Sequence, residues 1–361
     1  MTKFESVHGP DTGRTEALEA VRRCPALYIG AADGGGVVQL LWEVIDNAVD
    51  LYLVRCLTQL HIEIRDGWFE VEDDGPGFPI GYDRLGRDTL EQLFTRFHTG
   101  APARDSFVSV HLCESFSGYG LPVVNALSIE FEVESHTRGR CHRMKCARGR
   151  VIEGPSDIGP TSKSGARLRF RPDPEIFDAA SLDLAEIRRR LSELAHLCPA
   201  LTLRLGDETF RERRGIVAWI EAKVEGPCFS ASGTVHDVAV DVALGWGAPG
   251  PHRLLSFVGR HPTPAGGAHV DGLWSGLREA VYSGEGQRPE LARFKTTFGN
   301  GLLAVVNASL TQPSFAGPTR AFLESRRAAH AVETLVARAL PAWSHWQSSV
   351  GLAIKSRAEA Q

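Results

Sequence analysis

Residues 42–50 read WEVIDNAVD, and residues 72–79 read EDDGPGFP. Val37, Leu40, Leu41, Val44, Ile45 and Ala48 recur at the spacing of one apolar face of a helix. The other face carries Gln39, Glu43, Asp46, Asn47 and Asp50. Glu43 and Asn47 are four apart, so their side chains leave the same flank one turn from each other. A carboxylate and a neutral amide held that way can divide a task. The Asn47 carbonyl oxygen can ligate a hard cation while Glu43 can take a proton from a water. Alone, the stripe also reads as a solvated helix face; the downstream segments favour a site.

The stretch LHIEIRDGWFEVEDDG alternates Leu60, Ile62 and Ile64, then Trp68, Glu70 and Glu72, around Asp66-Gly67. Asp-Gly between two alternating runs predicts a β-hairpin, whose second strand delivers Asp73 at its end. Residues 98–120 form a long segment of low periodicity bounded by glycines, the composition of a functional loop or lid. LPVVNALS predicts a helix starting immediately after Gly120. A glycine-bounded loop entering a helix start offers free N–H groups and the positive end of the helix dipole to an anion.

The rest of the chain supports this centre. Residues 1–14 read as a polar arm, and EALEAVRRC as a short helix stopped by Pro25. IEFEVESHTRGRCHRMKCARGRVIE predicts a hairpin, SGARLRFRPDP a strand ended by prolines, and residues 183–198 an amphipathic helix. Composition shifts near residue 211, which divides the chain into expected domains 1–210 and 211–361. The second domain should hold strands at 235–244, LLSFVG and LLAVVNASL, a helix near 272–281, and a long C-terminal helix from about Thr319.

Composition narrows the class. The chain has 361 residues, 43% hydrophobic and 23% charged, enough for two cores in a globular protein. No apolar run approaches a membrane span and the N-terminus has no signal-like core, so a cytoplasmic protein without a membrane partner is expected. Seven cysteines, an odd number with no CxxC pair, read as reduced thiols, and Cys141, His142 and Cys146 lack the spacing of a zinc finger. Net charge is −4, divided as −8 through residue 210 and +4 beyond it. An acidic first half that holds a polyphosphate needs a cation; +4 is far below the footprint of a dedicated DNA binder.

The polar helix stripe, the DDGPGFP turn, the glycine lid before VVNALS and the later SGARLRF strand occur in one order. This arrangement resembles the GHKL ATPase superfamily. EALEAVRRCPALYIG, WEVIDNAVD, VEDDGPGFP, VVNALS, AGGAHVDGL and NGLLAVVNASL are similar to the ATPase subunits of gyrase and topoisomerase IV. The resemblance covers nearly the whole chain. It implies an α+β fold: a GHKL (Bergerat) α/β sandwich on a mixed sheet, then a ribosomal-S5-like transducer domain. It further implies ATP and Mg2+ as ligands, Glu43 as general base, Asn47 as the magnesium ligand and Asp73 as acceptor of the adenine amino group. Asp46, Asp50, Gly77, Pro79 and Ala166 would line the nucleotide, and Gly118, Tyr119 and Gly120 would wrap the phosphates. Arg320 would reach the γ-phosphate from the second domain. An ATP-dependent homodimer and a gyrase or topoisomerase subunit are the implied partners, with DNA a weaker one.

Departures from the family pattern matter as much. The lid reads Glu114-Ser115-Phe116-Ser117-Gly118-Tyr119-Gly120, where relatives have more glycine and a histidine. An Arg–Glu pair of the family is replaced by Pro76 and Leu51, and a threonine beside the adenine by Ala166. The arginine that commonly anchors aminocoumarins is Thr137, so weaker binding of that class is expected. The Gln-Thr-Lys loop becomes Pro318-Thr319-Arg320, a planar fork in place of an ammonium. No cleavage domain follows in this sequence, and a stand-alone paralogue unable to pass DNA strands by itself is expected over a fragment of a longer protein. Two activities are consistent with this pattern: slow Mg-dependent hydrolysis coupled to lid closure and dimerisation, or nucleotide sensing by a weak paralogue that regulates a gyrase subunit or confers inhibitor resistance. Retention of Glu43 favours the enzyme.

Overall fold

The structure is a computed structural model that describes residues 12–53, 56–97, 120–177, 182–282, 288–317 and 320–359. The chain divides into two compact units, residues 1–192 with 201–211, and residues 193–200 with 212–361.

In the first unit, α1 (Thr12–Arg23), α2 (Ala26–Ile29) and α3 (Gly34–Leu53) precede a hairpin of β1 (Gln59–Arg65) and β2 (Trp68–Asp73). Asp66 and Gly67 both take positive φ, 53° and 79°, as a two-residue turn of matching twist requires. Then follow α4 (Thr89–Thr95), α5 (Gly120–Ala126), β3 (Ser128–Thr137), β4 (Arg140–Ala147), β5 (Arg150–Pro160) and β6 (Gly165–Pro172). The unit closes with α6 (Leu184–Leu197), β7 (Thr202–Leu205) and β8 (Glu208–Phe210). The last turn of α6 groups with the second unit. The strands form one mixed sheet in the order β5-β4-β3-β6-β2-β1-β7-β8, with β1 and β7 parallel and the other pairs antiparallel.

The hairpin expected at 129–153 continues into a third strand. Arg138-Gly139 and Arg148-Gly149 each turn the chain in the left-handed region, so β3, β4 and β5 form a meander. The two faces of the sheet differ sharply. Ile62, Val71, Leu168, Val133 and Met144 lie side by side on one face, buried, and α3 and α5 pack on this side. The other face is charged. Glu70 and Glu72 on β2 face Arg169 and Arg167 on β6, which face Glu132 and Glu134 on β3, which face Lys145 and Arg143 on β4. Arg167 reaches Glu134 at 3.0 Å and Arg169 reaches Glu70 at 3.0 Å. Such cross-strand pairs contribute roughly 0.2–1 kcal/mol apiece.

Helix α3 is more enclosed than its sequence suggests. Its apolar stripe is buried, and so are Trp42 and, on the face read as polar, Asp46 and Asp50. Part of the cover comes from α6, whose Arg190 guanidinium lies 3.9 Å from the Trp42 ring centroid.

The second unit contains α7 (Ile216–Glu221), β9 (Phe229–Val235), β10 (Val238–Trp246), β11 (Arg253–Val258), β12 (His261–Pro262), α8 (Ala268–Val281), α9 (Leu291–Thr297), β13 (Leu302–Ser309), α10 (Arg326–Ala342) and α11 (Ser349–Glu359). Its sheet runs β12-β11-β13-β10-β9, with β11 and β13 parallel. One face packs Val240, Val242, Leu244 and Val306 against Leu273, Trp274 and Leu277 of α8 and Val332 and Val336 of α10. Helices α8 and α10 meet closely through Gly272 and Gly276. A Cβ on Gly272 would stand 2.2 Å from the Ala329 carbonyl oxygen, and one on Gly276 2.8 Å from that of Glu333. Gly272→Ala is therefore expected to destabilise the unit by roughly 1–3 kcal/mol through overpacking. A thermal melt checks it; an unchanged midpoint would mean the helices do not approach this closely.

The long helix expected from about Thr319 begins later, at Arg326. The preceding segment spends its backbone groups on extended pairing: Leu323 N–H donates to Gly266 O, and Leu323 O accepts from Ala268 N–H. The helix also stops sooner, after Pro341, and α11 follows as a separate helix.

Candidate nucleotide site

Within residues 41–50, Glu43 and Asn47 are the two positions that are not buried. With Gln39 and Leu51, also partly open, they make a stripe at four-residue spacing along one flank of α3. The Gln39 amide donates to Glu43 Oε1 at 2.8 Å, fixing the carboxylate rotamer. Gly120, the first residue of α5, is packed against the same group. A Cβ there would fall 2.5 Å from Glu43 Oε2. Glycine at 120 thus lets a helix start sit directly beside the carboxylate. Asp46 and Asp50 stand off this stripe, 9% and 6% exposed.

The opposite end of the stripe leads to the turn after β2. Leu51 Cδ1 would lie 2.9 Å from a Cβ on Gly75, so the leucine packs on that glycine's backbone. Asp73 is 7% exposed, and its Oδ1 accepts from Gly75 N–H at 2.8 Å. Burial pushes its carboxyl up to about 6, against the lowering effect of backbone N–H groups of Gly75 and Ala166. A buried acid raised this far marks a place where a polar partner is wanted. Asp74 points elsewhere. Its carboxylate accepts from the Thr58 and Gln59 N–H groups at 2.8 and 2.9 Å and from the Thr58 hydroxyl, tying the turn to the start of β1.

The floor of the turn is built from glycines and one serine. Gly77 has φ of 75°, and a Cβ there would be 2.9 Å from Gly165 O, His136 O and Ser135 Oγ. Gly165, with φ of 116°, would place a Cβ 1.8 Å from Asp73 O. Ser135 Oγ accepts from Phe78 N–H at 2.8 Å and donates to Phe78 O at 3.0 Å, clamping the turn onto β3. Ser164 adds a bond to Gly75 O at 2.5 Å. Ala166 is buried beside Ser135 in the strand register, Pro79 is half-buried, and Thr137 ends β3. Gly77→Ala is expected to spoil the turn, since neither the backbone angle nor the carbonyls can yield cheaply. Nucleotide binding lost in a chain that still melts cooperatively would bear this out; unchanged binding would refute it.

The first unit thus brings Glu43, Asn47, Asp73, Gly77, Gly120 and Ala166 into one connected run, from the start of α5 along α3 to the β2 turn and the start of β6. Arg320 belongs to the second unit, where its Nη1 lies 3.3 Å from His261 Nε2 and its φ is 53°. Gly118, Tyr119, Pro318, Thr319 and the lid residues from Glu114 to Ser117 lie outside the described residues. Ser135, Asp74, Ser164, Gly165 and Gln39 escape a reading of the sequence as site residues. The tandem Asp73-Asp74 and a hydroxyl at a core-facing position of β3 are the available signals.

The run of residues and the sheet define a class. The family model for histidine kinase-, DNA gyrase B- and HSP90-like ATPases matches residues 32–176, and that for DNA gyrase B matches residues 213–361. The type 2 topoisomerase B-subunit of Aquifex aeolicus is 34% identical over 338 residues, covering 88% of this chain and 42% of that protein. The DNA gyrase B-subunit of Archaeoglobus fulgidus is 32% identical, covering 90% and 54%. The 43K ATPase domain of Thermus thermophilus gyrase B, solved with an aminocoumarin, superposes with a TM-score of 0.80 at 30% identity, covering 95% of this chain and 94% of that one. The chain belongs to the GHKL ATPases as a gyrase-B-like ATPase and transducer region. It spans about half the length of the curated relatives it matches.

Proposed function

We propose that the chain binds ATP in the first unit and hydrolyses it slowly with magnesium, coupled to lid closure and association of two copies. The observation that carries this reading is the open Glu43–Asn47 stripe, with Gly120 against Glu43 and the buried Asp73 acceptor beyond the other end.

The residues suit a nucleotide. Asp73 is a buried acid held where glycine backbone packs closely against the strands, and it would take the adenine amino group. Gly120 presents the first N–H groups of α5 beside Glu43, where phosphate oxygens would be held. Asn47 would hold the magnesium ion, which when bound neutralises charge across the phosphates. Glu43, oriented by Gln39, would take the proton from the attacking water. Phosphoryl transfer asks mainly for positioning and charge neutralisation, and these residues supply both.

The second unit would contribute Arg320 to the γ-phosphate, and a gyrase or topoisomerase subunit would be the partner that converts closure into work on DNA. Among the described residues no helix is long and apolar enough to cross a membrane. The test is a magnesium-ATPase assay beside light scattering, with and without a non-hydrolysable ATP analogue. Turnover should rise more steeply than linearly with protein concentration, and the analogue should double the mass. Tight binding of the analogue with no turnover would replace this reading by nucleotide sensing.

A further inference from the structure

On the charged face of the sheet, at the ends of β3 and β4, three donors of different chemistry converge. Glu134 and His136 are two residues apart on β3 and so share a face, and His136 is directly opposite Cys141 on β4. His136 Nε2 lies 3.9 Å from Glu134 Oε2 and 4.0 Å from Cys141 Sγ. All three donor atoms lie within 4.8 Å of one another. The residues are largely enclosed: His136 is 9% exposed, Cys141 6%, and the Glu134 side chain 12%. Neither ring nitrogen of His136 is spent on a hydrogen bond of ordinary length, since Nδ1 is buried with no partner and the neighbours of Nε2 stand near 4 Å.

We propose that Glu134, His136 and Cys141 form a site for a thiophilic divalent cation of the zinc class. Zinc bonds to carboxylate oxygen, imidazole nitrogen and thiolate sulfur run about 2.0–2.3 Å, so tetrahedral donors stand roughly 3.3–3.7 Å apart. The two His136 separations need only a few tenths of an ångström of closure, and the Glu134–Cys141 span, within 4.8 Å, about an ångström, which side-chain rotation on a fixed hairpin supplies. Binding takes Cys141 as the thiolate: the S–H proton leaves to solvent and the sulfur pair goes to the ion. With the Glu134 carboxylate, two negative charges then balance the two positive ones, and neutral His136 completes three protein ligands. A fourth position stays open to water or an exogenous donor, as in zinc sites with three protein ligands.

Arg167, 3.0 Å from Glu134 Oε2, is the competing cation, but Glu132 and Glu70 lie 3.7 and 3.8 Å from the same guanidinium. It keeps acidic partners when Glu134 turns to the ion. The cluster sits against the floor of the nucleotide turn, because His136 O is one of the atoms that a Cβ on Gly77 would meet at 2.9 Å. It shares no residue with the Glu43–Asn47 stripe, so its test does not depend on ATP turnover.

The experiment is a Co2+ titration of the reduced, chelator-treated full chain, followed by displacement with Zn2+. A sulfur-to-cobalt charge-transfer band should saturate at a single equivalent and vanish as zinc is added. Cys141→Ser should remove the band, and Cys141→Ser and His136→Ala should each weaken zinc binding by more than about ten- to a hundredfold, the loss that outer-shell substitutions cause. Glu134→Gln, which keeps the sulfur and the fold, should weaken it too. Cys146→Ser, on the opposite face of β4, and Cys56→Ser, at an exposed position, should leave the band unchanged. No sulfur band, or a band that survives Cys141→Ser, overturns the proposal.

Discussion

Glu43→Ala is expected to lower magnesium-dependent ATP turnover by about a hundred- to ten-thousandfold while nucleotide binding stays within a few-fold. The separation follows from the geometry. Glu43 lies against Gly120, whereas Asp73 and the glycine floor are held by β2, β3 and β6 without it. Replacing the carboxylate removes the proton acceptor and leaves the pocket floor intact. Glu43→Gln keeps the volume and the contact with Gln39 but cannot take a proton, so it should match the alanine variant in rate. Turnover that survives either change would assign the chemistry to another group.

Asp73→Asn carries the second large effect, and it runs in two directions. Losing a charged acceptor at a buried hydrogen bond costs roughly 1.5–3 kcal/mol, about ten- to a hundredfold in nucleotide affinity. Stability without nucleotide should move the other way. The Asp73 carboxyl goes from 3.8 to about 6 on folding, mainly by burial. Stability associated with the protonated acid is full below pH 3.8 and is lost as pH rises through about 6. Above that window the buried charge costs about 2–3 kcal/mol, since each tenfold change in proton affinity on folding is worth roughly 1.4 kcal/mol. Melting curves between pH 4 and 8 should therefore show Asp73→Asn above the unchanged chain at pH 7.5, converging with it toward pH 4. Nucleotide affinity of the unchanged chain should fall below about pH 6 by up to tenfold for each step of one in pH, because the ligand selects the ionised acceptor. A variant that loses both stability and binding would give Asp73 a purely structural role.

Much of this site is legible in local spacing. Four-residue separation puts Glu43 and Asn47 on one flank, and Asp-Gly at 66–67 sets the hairpin that ends in Asp73. The remainder depends on contacts between distant segments. Asp46 and Asp50 share the helical flank read as polar, yet they are buried, and the Trp42 side is roofed by Arg190, far along the chain. Ser135 and Asp74 acquire their roles only once β3 and β1 lie beside the turn. The third strand of the meander is hidden because its turns use Arg-Gly, with arginine taking the left-handed angle usually reserved for asparagine or aspartate. The late start of α10 has the same origin, in pairing of Leu323 with Gly266 and Ala268.

The charged face of the first sheet bears on how the chain assembles. Each strand there is nearly of one sign: β2 and β3 present glutamates, while β6 and β4 present arginines and a lysine. Sliding one strand by two residues keeps opposite signs together, so the pattern does little to choose register; the apolar face does that. What it favours is β6 as the neighbour of β2 and β3, while on the other side of β2 the hairpin turn holds Glu63 opposite Glu70. β2 and β3 precede β6 in the chain and would meet first, yet glutamate rows facing one another repel. In the finished sheet the arginine row of β6 stands between them. In high salt that sorting fades, and refolding should lose selectivity for the correct strand neighbours before the finished sheet loses stability.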